Sequence, residues 1–247
     1  MKLRVALAQV NPTVGDLVAN AALVRTNFKT AQDAGAHIVV FPEMVLTGYP
    51  VEDLALRPSF QIASQNALAE LAKSLTGKSV AIVGYLDQVD GAPQNMVAVI
   101  SDGVVSARYA KCHLPNYGVF DEFRNFVPGD KTLVVSIHGV DVGIAICEDL
   151  WIDGGITSQL AARKPGLVIV PNGSPYERNK DDVRLALVSK RARQASAPLV
   201  YVNMTGGQDD LVFDGDTIAV DAQGALISRA AQFQETNSPR LILNNFH

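Results

Sequence analysis

The sequence predicts a mixed α/β (α+β) fold, a four-layer α-β-β-α sandwich in which two packed sheets are each covered by helices. Hydrophobic residues make up 48% of the 247 residues, which is enough to fill a large core. Strand-like apolar runs alternate with helix-like amphipathic segments along the chain. Some strands form hairpins while others are separated by helices. This mixture favours a sheet with helices on one face and a second sheet on the other.

The first third of the chain predicts strands that alternate with helices. Asp16 is a favourable helix N-cap and Gly35 a favourable helix end, so they bound the first helix. In both helical segments the apolar residues recur every three or four positions, whereas the strands are short apolar runs. The predicted strands span residues 3–10, 36–41 and 80–86, and the predicted helices span 16–35 and 60–75.

Two hairpins are predicted in the middle of the chain. Asp102-Gly103 and His138-Gly139 each stand between two apolar runs, and such pairs favour two-residue turns. We expect roughly nine to eleven strands and four to five helices in total. The remaining predicted strands span 96–100, 104–109, 134–137, 141–146, 167–170, 199–202 and 217–220, and a helix spans 181–195.

Two segments near the C-terminus carry further expectations. The helix at 181–195 has a row of basic side chains, which we expect on a solvated face or on a partner surface. Residues 232–247 lack clear periodicity and are interpreted as an arm or linker after one domain. The basic residues of the helix are Arg184, Lys190, Arg191 and Arg193.

Charge and composition argue against several classes of partner. With 21 basic and 25 acidic residues the formal net charge is -4, which gives no general attraction to nucleic acid or to anionic membranes. No apolar stretch reaches the ~20 residues of a spanning helix, and the N-terminus lacks a secretory pattern, so we expect a cytoplasmic protein. Two cysteines are too few for a disulfide framework.

Three reactive side chains follow predicted strands, at the start of the loops that come after them. They are Glu43, Lys111 and Cys147. Catalytic residues are often found in such loops. A thiol needs a base to accept its proton, and a carboxylate can do so. Because the negative charge of the carboxylate also raises the pKa of the thiol, a nearby cation is needed to balance it. The same ammonium, with a backbone N–H, could stabilise the oxyanion formed when sulfur attacks a carbonyl carbon.

Each of these residues also has an ordinary structural explanation. Glu43 could be a cap or an ion-pair partner, Lys111 a solvated lysine, and Cys147 an inert buried thiol. Cys112 is a competing nucleophile, but it directly follows Lys111 and would point the other way if the strand continued, so we expect a small buried thiol. The four histidines are scattered, and no metal site is expected.

Four motifs in the same order resemble those of the carbon-nitrogen hydrolase (nitrilase) superfamily, which implies the four-layer sandwich of the nitrilase type. Within that superfamily the sequence is similar to the glutaminase domains of glutamine-dependent NAD synthetases, and the resemblance covers nearly all of residues 1–247. The motifs are FPE at 41–43 with LTGYP at 46–50, KCHLPNYGVFDE at 111–122, GIAICEDLW at 143–151 and NGSPY at 172–176.

The resemblance implies a role for each matching residue. Glu43 would be the general base, Lys111 the oxyanion-stabilising cation, and Cys147 the nucleophile that forms a thioester with the side-chain carbonyl of glutamine. Glu122 would hold the lysine and assist proton transfer. The residues implied in gripping the amino acid end of L-glutamine are Tyr117, Ser174 and Lys180, with Glu148 and Tyr49 as neighbours.

The same resemblance implies a missing partner. The Ser-Gly-Gly-x-Asp-Ser adenylation loop of a synthetase domain is absent from the sequence. ATP and Mg would then serve only a synthetase domain that converts deamido-NAD to NAD, elsewhere in a longer chain or on a separate subunit, and this domain would need no cofactor. Residues 232–247 would lead towards that domain, and homo-oligomers are expected. The alternatives are a freestanding amidase acting on another amide, or an inactive partner-binding scaffold.

Overall fold

The computed structural model describes residues 2–178, 180–236 and 240–244, without the side chains of residues 2, 180–181 and 240–244. Two short 3-10 helices span Glu52–Leu56 and Cys147–Leu150. The helices are α1 (Leu17–Asp33), α2 (Pro58–Ser74), α3 (Glu122–Asn125), α4 (Ile156–Ala162) and α5 (Lys180–Ala195). The strands are β1 (Lys2–Leu7), β2 (Ile38–Val40), β3 (Val80–Val89), β4 (Ala92–Ser101), β5 (Val104–Ala110), β6 (Leu133–Ile137), β7 (Val140–Ile144), β8 (Leu167–Asn172), β9 (Leu199–Asn203), β10 (Thr205–Gln208), β11 (Leu211–Asp214), β12 (Ile218–Val220), β13 (Leu226–Arg229) and β14 (Arg240–Asn244).

These strands form two six-stranded sheets and one small hairpin, β10–β11. The first sheet has the order β14-β1-β2-β3-β4-β5, and the second has the order β13-β12-β9-β8-β7-β6. Strands β1, β2 and β3 run parallel in the first sheet, and β7, β8 and β9 run parallel in the second. The carboxyl ends of parallel strands meet at one edge of a sheet, so each sheet offers one edge where several loops begin.

Successive side chains of β1 point to opposite faces of the first sheet and pack against different layers. Leu3, Val5 and Leu7 belong to the core shared with the second sheet, whereas Ala6 packs in the cluster that includes α1 and α2. On the second sheet, α4 and α5 contribute to the shared core from their own side. The predicted α-β-β-α sandwich is confirmed.

Both predicted two-residue hairpin turns are confirmed. Asp102 and Gly103 have φ of 45° and 83°, and His138 and Gly139 have φ of 49° and 77°. Positive φ at both central residues matches the right-handed twist of the flanking strands. A third turn of the same kind, at 90–91, was missed, and it joins β3 and β4 into a hairpin with ten residues in each strand.

The expectation of a solvated basic face on α5 is wrong for two of the four basic residues between positions 181 and 195. Arg184 and Arg191 are buried, whereas Lys190 and Arg193 are exposed. Arg191 donates from Nε to the backbone oxygen of Leu150, at the end of the 3-10 helix that begins with Cys147. The positive charge of an arginine therefore does not show that it is exposed, because backbone carbonyls can accept the hydrogen bonds of a buried guanidinium.

The stretch after residue 231 contains ordered contacts with the first sheet. Strand β14 pairs antiparallel with β1, and the Gln9 side chain donates to the backbone oxygens of Ala231 and Gln234. Residues 237–239 and 245–247 of the predicted arm lie outside the described residues. Its role as a linker stays a prediction.

No helix in the described ranges is long and apolar enough to cross a membrane.

A buried ion cluster anchors the loop that follows β8. Arg184 Nη1 lies 2.8 Å and 2.7 Å from the two carboxylate oxygens of Asp214, at the end of β11. Its Nη2 donates to the backbone oxygens of Ser174 and Pro175, each at 3.0 Å. One guanidinium therefore joins α5, β11 and the loop after β8.

We expect Arg184→Met to lower the free energy of unfolding by about 3–5 kcal/mol, since it leaves the Asp214 carboxylate buried without its cation. Urea unfolding followed by circular dichroism measures this loss. The matched control is Arg193→Met, an exposed position on the same helix, which should change stability by no more than about 0.5 kcal/mol. Equal effects of the two substitutions would contradict the anchoring role.

Candidate active site

Glu43 lies just beyond β2, in a turn that packs closely against β3. Gly84 on β3 permits this approach, because a Cβ there would lie 2.2 Å from the backbone nitrogen of Met44. Pro42 precedes the glutamate and cannot extend the ladder of β2. The local sequence therefore ends the strand and directs a carboxylate into the interior.

The Glu43 carboxylate is fully buried and accepts three hydrogen bonds. Its Oε1 accepts from Lys111 Nζ at 2.8 Å and from Asn95 Nδ2 at 2.7 Å. Its Oε2 accepts from the backbone N–H of Gly173 at 2.7 Å. Three donors on separate elements thus fix the orientation of this carboxylate.

Lys111 follows β5, and its ammonium lies between two carboxylates. Nζ donates to Glu43 Oε1 at 2.8 Å and to Glu122 Oε1 at 2.9 Å, and the side chain is 1% exposed. Burial lowers the pKa of Lys111, but the two carboxylates outweigh burial and hold that pKa well above its usual value. The two carboxylates therefore favour the charged form of this buried lysine.

Glu122 is the first residue of α3 and completes the environment of the ammonium. Its Oε1 also accepts a hydrogen bond from the Tyr49 hydroxyl at 2.9 Å. Burial raises the pKa of Glu122 to about 7, against the opposing effect of Lys111. Near neutral pH this carboxyl group can therefore exchange a proton, unlike an ordinary surface glutamate.

Cys147 ends the segment after β7 and begins a 3-10 helix. Its φ is +42°, a conformation that non-glycine residues seldom adopt, and the residue is 4% exposed. Burial and then the negative charge of Glu43 raise the pKa of the Cys147 thiol well above its usual value, while Lys111 lowers it. The thiol is therefore protonated at rest, and a base must remove its proton before it can act as a nucleophile.

The polar groups around Cys147 are coupled to it by charge. The described hydrogen bonds of Glu43 and Lys111 connect them to each other, to Asn95, Gly173 and Glu122, and none of these bonds reaches the sulfur. Catalytic hydrogen bonds often tighten only when substrate binds, so this resting arrangement is compatible with proton transfer.

A cavity of about 330 Å³ opens beside Cys147. Its size suits a small ligand, and its walls combine aromatic and charged groups. The Tyr117 hydroxyl donates to Glu148 Oε2 at 2.9 Å at this site, and burial raises the pKa of Glu148. The cavity is lined by Tyr117, Phe120, Cys147, Glu148, Trp151, Ser174, Glu177, Arg178 and Val183.

The site residues predicted from the sequence form two groups, one in a hydrogen-bonded network and one along the cavity wall. Tyr49 joins the hydrogen-bonded network of Glu43, Lys111 and Glu122, whereas four of the other predicted residues line the cavity. The side chain of Lys180 lies outside the described residues. The residues that line the cavity are Cys147, Tyr117, Glu148 and Ser174.

Sequence reasoning missed several contributors to this site. Asn95 was included in no motif, although an asparagine beside the apolar run of a strand is unusual and could have signalled a buried partner. Gly173 contributes only its backbone N–H, which no sequence pattern reveals. Arg178, in a segment between β8 and α5, also lines the cavity.

The sulfur of the competing cysteine, Cys112, contacts other groups, the backbone oxygens of Ala110 and Lys131. Cys112 is half-buried, and burial raises the pKa of its thiol to about 11. The Tyr109 hydroxyl lies 3.6 Å from its sulfur, and Cys112 is not among the residues that line the cavity. Across the described part of the chain, no three His, Cys, Asp or Glu residues are placed to hold a metal ion.

Sequence comparison finds curated relatives of about twice this length. A glutamine-dependent NAD(+) synthetase from Xylella fastidiosa (strain Temecula1) is 42% identical over 236 residues, covering 94% of this chain and 43% of the relative. A protein of the same name from Thermotoga maritima is 40% identical over 237 residues, covering 95% of this chain and 41% of the relative. The chain thus spans less than half the length of these curated relatives.

Solved structures share the fold. The glutamine-dependent NAD+ synthetase of Acinetobacter baumannii superposes with a TM-score of 0.92 at 37% identity, covering 98% of this chain and 45% of that one. An amidase from Nesterenkonia sp. AN1 superposes with a TM-score of 0.84 at 23% identity, covering 98% and 93% of the two chains, which shows a common fold. Residues 4–243 match the model of the carbon-nitrogen hydrolase family. The chain therefore belongs to the carbon-nitrogen hydrolase family.

Proposed function

We propose that this chain is a glutaminase that supplies ammonia to an NAD synthetase domain. Cys147 is the nucleophile, Glu43 the general base and Lys111 the cation that stabilises the oxyanion. The observation that carries this proposal is the buried ammonium of Lys111, which two carboxylates fix and whose charge acts on the thiol of Cys147, a residue that lines the cavity. The synthetases among the relatives support the choice of reaction.

Acylation is the first half of the proposed reaction. Glu43 takes the proton of the Cys147 thiol, and the sulfur attacks the side-chain amide carbon of glutamine. The oxyanion forms next to Lys111, whose charge is already in place and needs no reorganisation. Glu43 then gives the proton to the departing nitrogen, so that the C–N bond breaks, ammonia leaves and a thioester remains.

Hydrolysis of the thioester is the second half. Glu43 takes a proton from water, and the resulting hydroxide oxygen attacks the thioester carbon. The C–S bond breaks, the Cys147 sulfur regains the proton, and glutamate is released. Throughout both halves Glu122, which accepts a hydrogen bond from Tyr49, holds Lys111, so that the cation does not transfer its own proton.

Recognition of glutamine is assigned to the polar walls of the cavity. The carboxylate of Glu148, oriented by Tyr117, would pair with the α-ammonium group of the substrate. Ser174 and Lys180 would serve the α-carboxylate, and Arg178 brings a further cation to the same cavity. An amide without these two charged groups would leave the buried carboxylate unpaired.

The acceptor of the ammonia is proposed to be a synthetase domain that uses ATP and Mg to convert deamido-NAD to NAD. This chain spans 43% of one synthetase relative, which leaves room in such a protein for a second domain. The synthetase domain would belong to the same longer chain or to a separate subunit.

Replacement of the nucleophile is the direct test. Cys147→Ala should lower glutamine hydrolysis by at least about 10³-fold, because the thioester cannot form. The matched control Cys112→Ala should retain activity within about threefold. A glutamine-mimicking diazo ketone should label the peptide that contains Cys147, as read by mass spectrometry. Labelling of Cys112, or full activity of Cys147→Ala, would overturn the proposal.

Substrate comparison separates a glutaminase from a general amidase. We expect kcat/KM for glutamine to exceed that for butyramide, which lacks the α-amino and carboxylate groups, by at least about 10²-fold. Glu148→Gln should reduce this ratio by weakening the glutamine reaction alone. Similar values for the two amides would instead indicate a freestanding amidase.

The electrostatic roles predict opposite effects on thiol ionisation. Because the charge of Glu43 raises the pKa of Cys147, Glu43→Gln should shift iodoacetamide labelling of Cys147 to lower pH, while hydrolysis falls by about 10²–10⁴-fold. Lys111→Met should shift labelling to higher pH. The control Glu70→Gln, at an exposed position on α2, should leave the profile unchanged. An upward shift in Glu43→Gln would contradict this assignment.

A further inference from the structure

Asp149 is a fully buried carboxylate whose two oxygens are saturated with donors. It lies two residues after Cys147, inside the 3-10 helix, and is not among the residues that line the cavity. Asp149 takes part in no step of the proposed glutamine hydrolysis. A buried charge of this kind is costly unless it is fully hydrogen-bonded, so its partners indicate what it does.

The backbone partners of Asp149 belong to the segments that follow β7 and β5, which are strands of two different sheets. On the side of the nucleophile, Oδ2 accepts from the backbone N–H of Ile146 at 2.9 Å. On the side of the lysine, Oδ1 accepts from the backbone N–H groups of Cys112 at 3.2 Å and His113 at 2.9 Å. These are the residue directly before Cys147 and the two directly after Lys111.

Two side chains complete the set. The Tyr109 hydroxyl, at the end of β5, donates to Asp149 Oδ2 at 2.7 Å. The Nδ1 atom of His113 lies 2.9 Å from Oδ1, and it carries the hydrogen because a carboxylate can only accept. That hydrogen bond raises the pKa of His113, which favours a positive charge beside the buried carboxylate.

This arrangement has a mechanical consequence. Lys111 and Cys147 leave edge or near-edge strands of two different sheets, and the strands themselves share no hydrogen bonds. The Asp149 carboxylate hydrogen-bonds to backbone next to both residues, so it fixes one relative to the other. It also supports the positive φ of Cys147, since strained backbone persists only where its surroundings over-determine it.

We propose that Asp149 is a positioning residue that sets the placement of the Cys147 sulfur relative to the Lys111 ammonium. This inference rests on the proposed function, because it assumes that the two groups act on one carbonyl. Asp149 contacts neither the substrate cavity nor the reacting atoms. Its loss should therefore reduce the rate of the chemical step and leave substrate binding nearly unchanged.

The test compares Asp149→Asn with Tyr109→Phe, which removes one donor but keeps the buried ring. We expect Asp149→Asn to lower kcat for glutamine hydrolysis by about 10²-fold, with KM within about threefold. The side-chain NH₂ group of asparagine would face N–H or O–H donors and could not accept their hydrogen bonds. Tyr109→Phe should lower kcat by about threefold to tenfold. The control Asp141→Asn, at an exposed position on β7, should leave both parameters unchanged.

Labelling of Cys147 by iodoacetamide provides a readout that does not depend on glutamine being the substrate. Displacement of Lys111 raises the pKa of the thiol, so labelling at pH 8 should slow by at least about fivefold in Asp149→Asn. If Asp149→Asn does not fold, Tyr109→Phe decides the question with the same two measurements. Folded variants with unchanged kcat and labelling would overturn the inference. Slow labelling without glutamine hydrolysis by the parent would refute the glutaminase and leave the positioning role intact.

Discussion

The site depends on one buried ammonium held between two carboxylates. Removing three charges from water costs several kcal/mol per ion, and only close, well-directed contacts compensate for that cost. The Lys111 ammonium therefore fixes Glu43 and Glu122 as much as they fix it. Asn95 and the backbone N–H of Gly173 complete the network by satisfying the remaining acceptor positions of Glu43. The ammonium is therefore held in one place by the two carboxylates that flank it.

The two-sheet architecture brings these groups together. Glu43 follows β2, Lys111 follows β5, and Cys147 follows β7 of the opposite sheet. The strands direct the loops to one edge, and the shared core packs the two sheets against each other. Burial at the same edge raises the pKa of the Cys147 thiol, which favours the protonated form.

The elements that depend on neighbouring residues could be predicted from the sequence. The hairpins at 102–103 and 138–139 and the helices α1 and α2 could be predicted, since turn chemistry and amphipathic spacing are local properties. The buried face of α5 could not be predicted, because the partners of Arg184 lie as far away as Asp214. Strand β14 was missed for a similar reason, since its partner β1 stands at the other end of the chain.

The sequence by itself determined the chemical groups and their placement at strand ends: a carboxylate after β2, an ammonium after β5 and a thiol after β7. Only the tertiary structure decided which groups touch, that the ammonium of Lys111 lies between two carboxylates, and that Asp149 connects the two sheets. The physical reason is that hydrogen bonds act over about 3 Å, whereas Glu43 and Gly173, which are bonded at this site, are 130 positions apart. Distances of that kind follow from packing and cannot be read from local sequence.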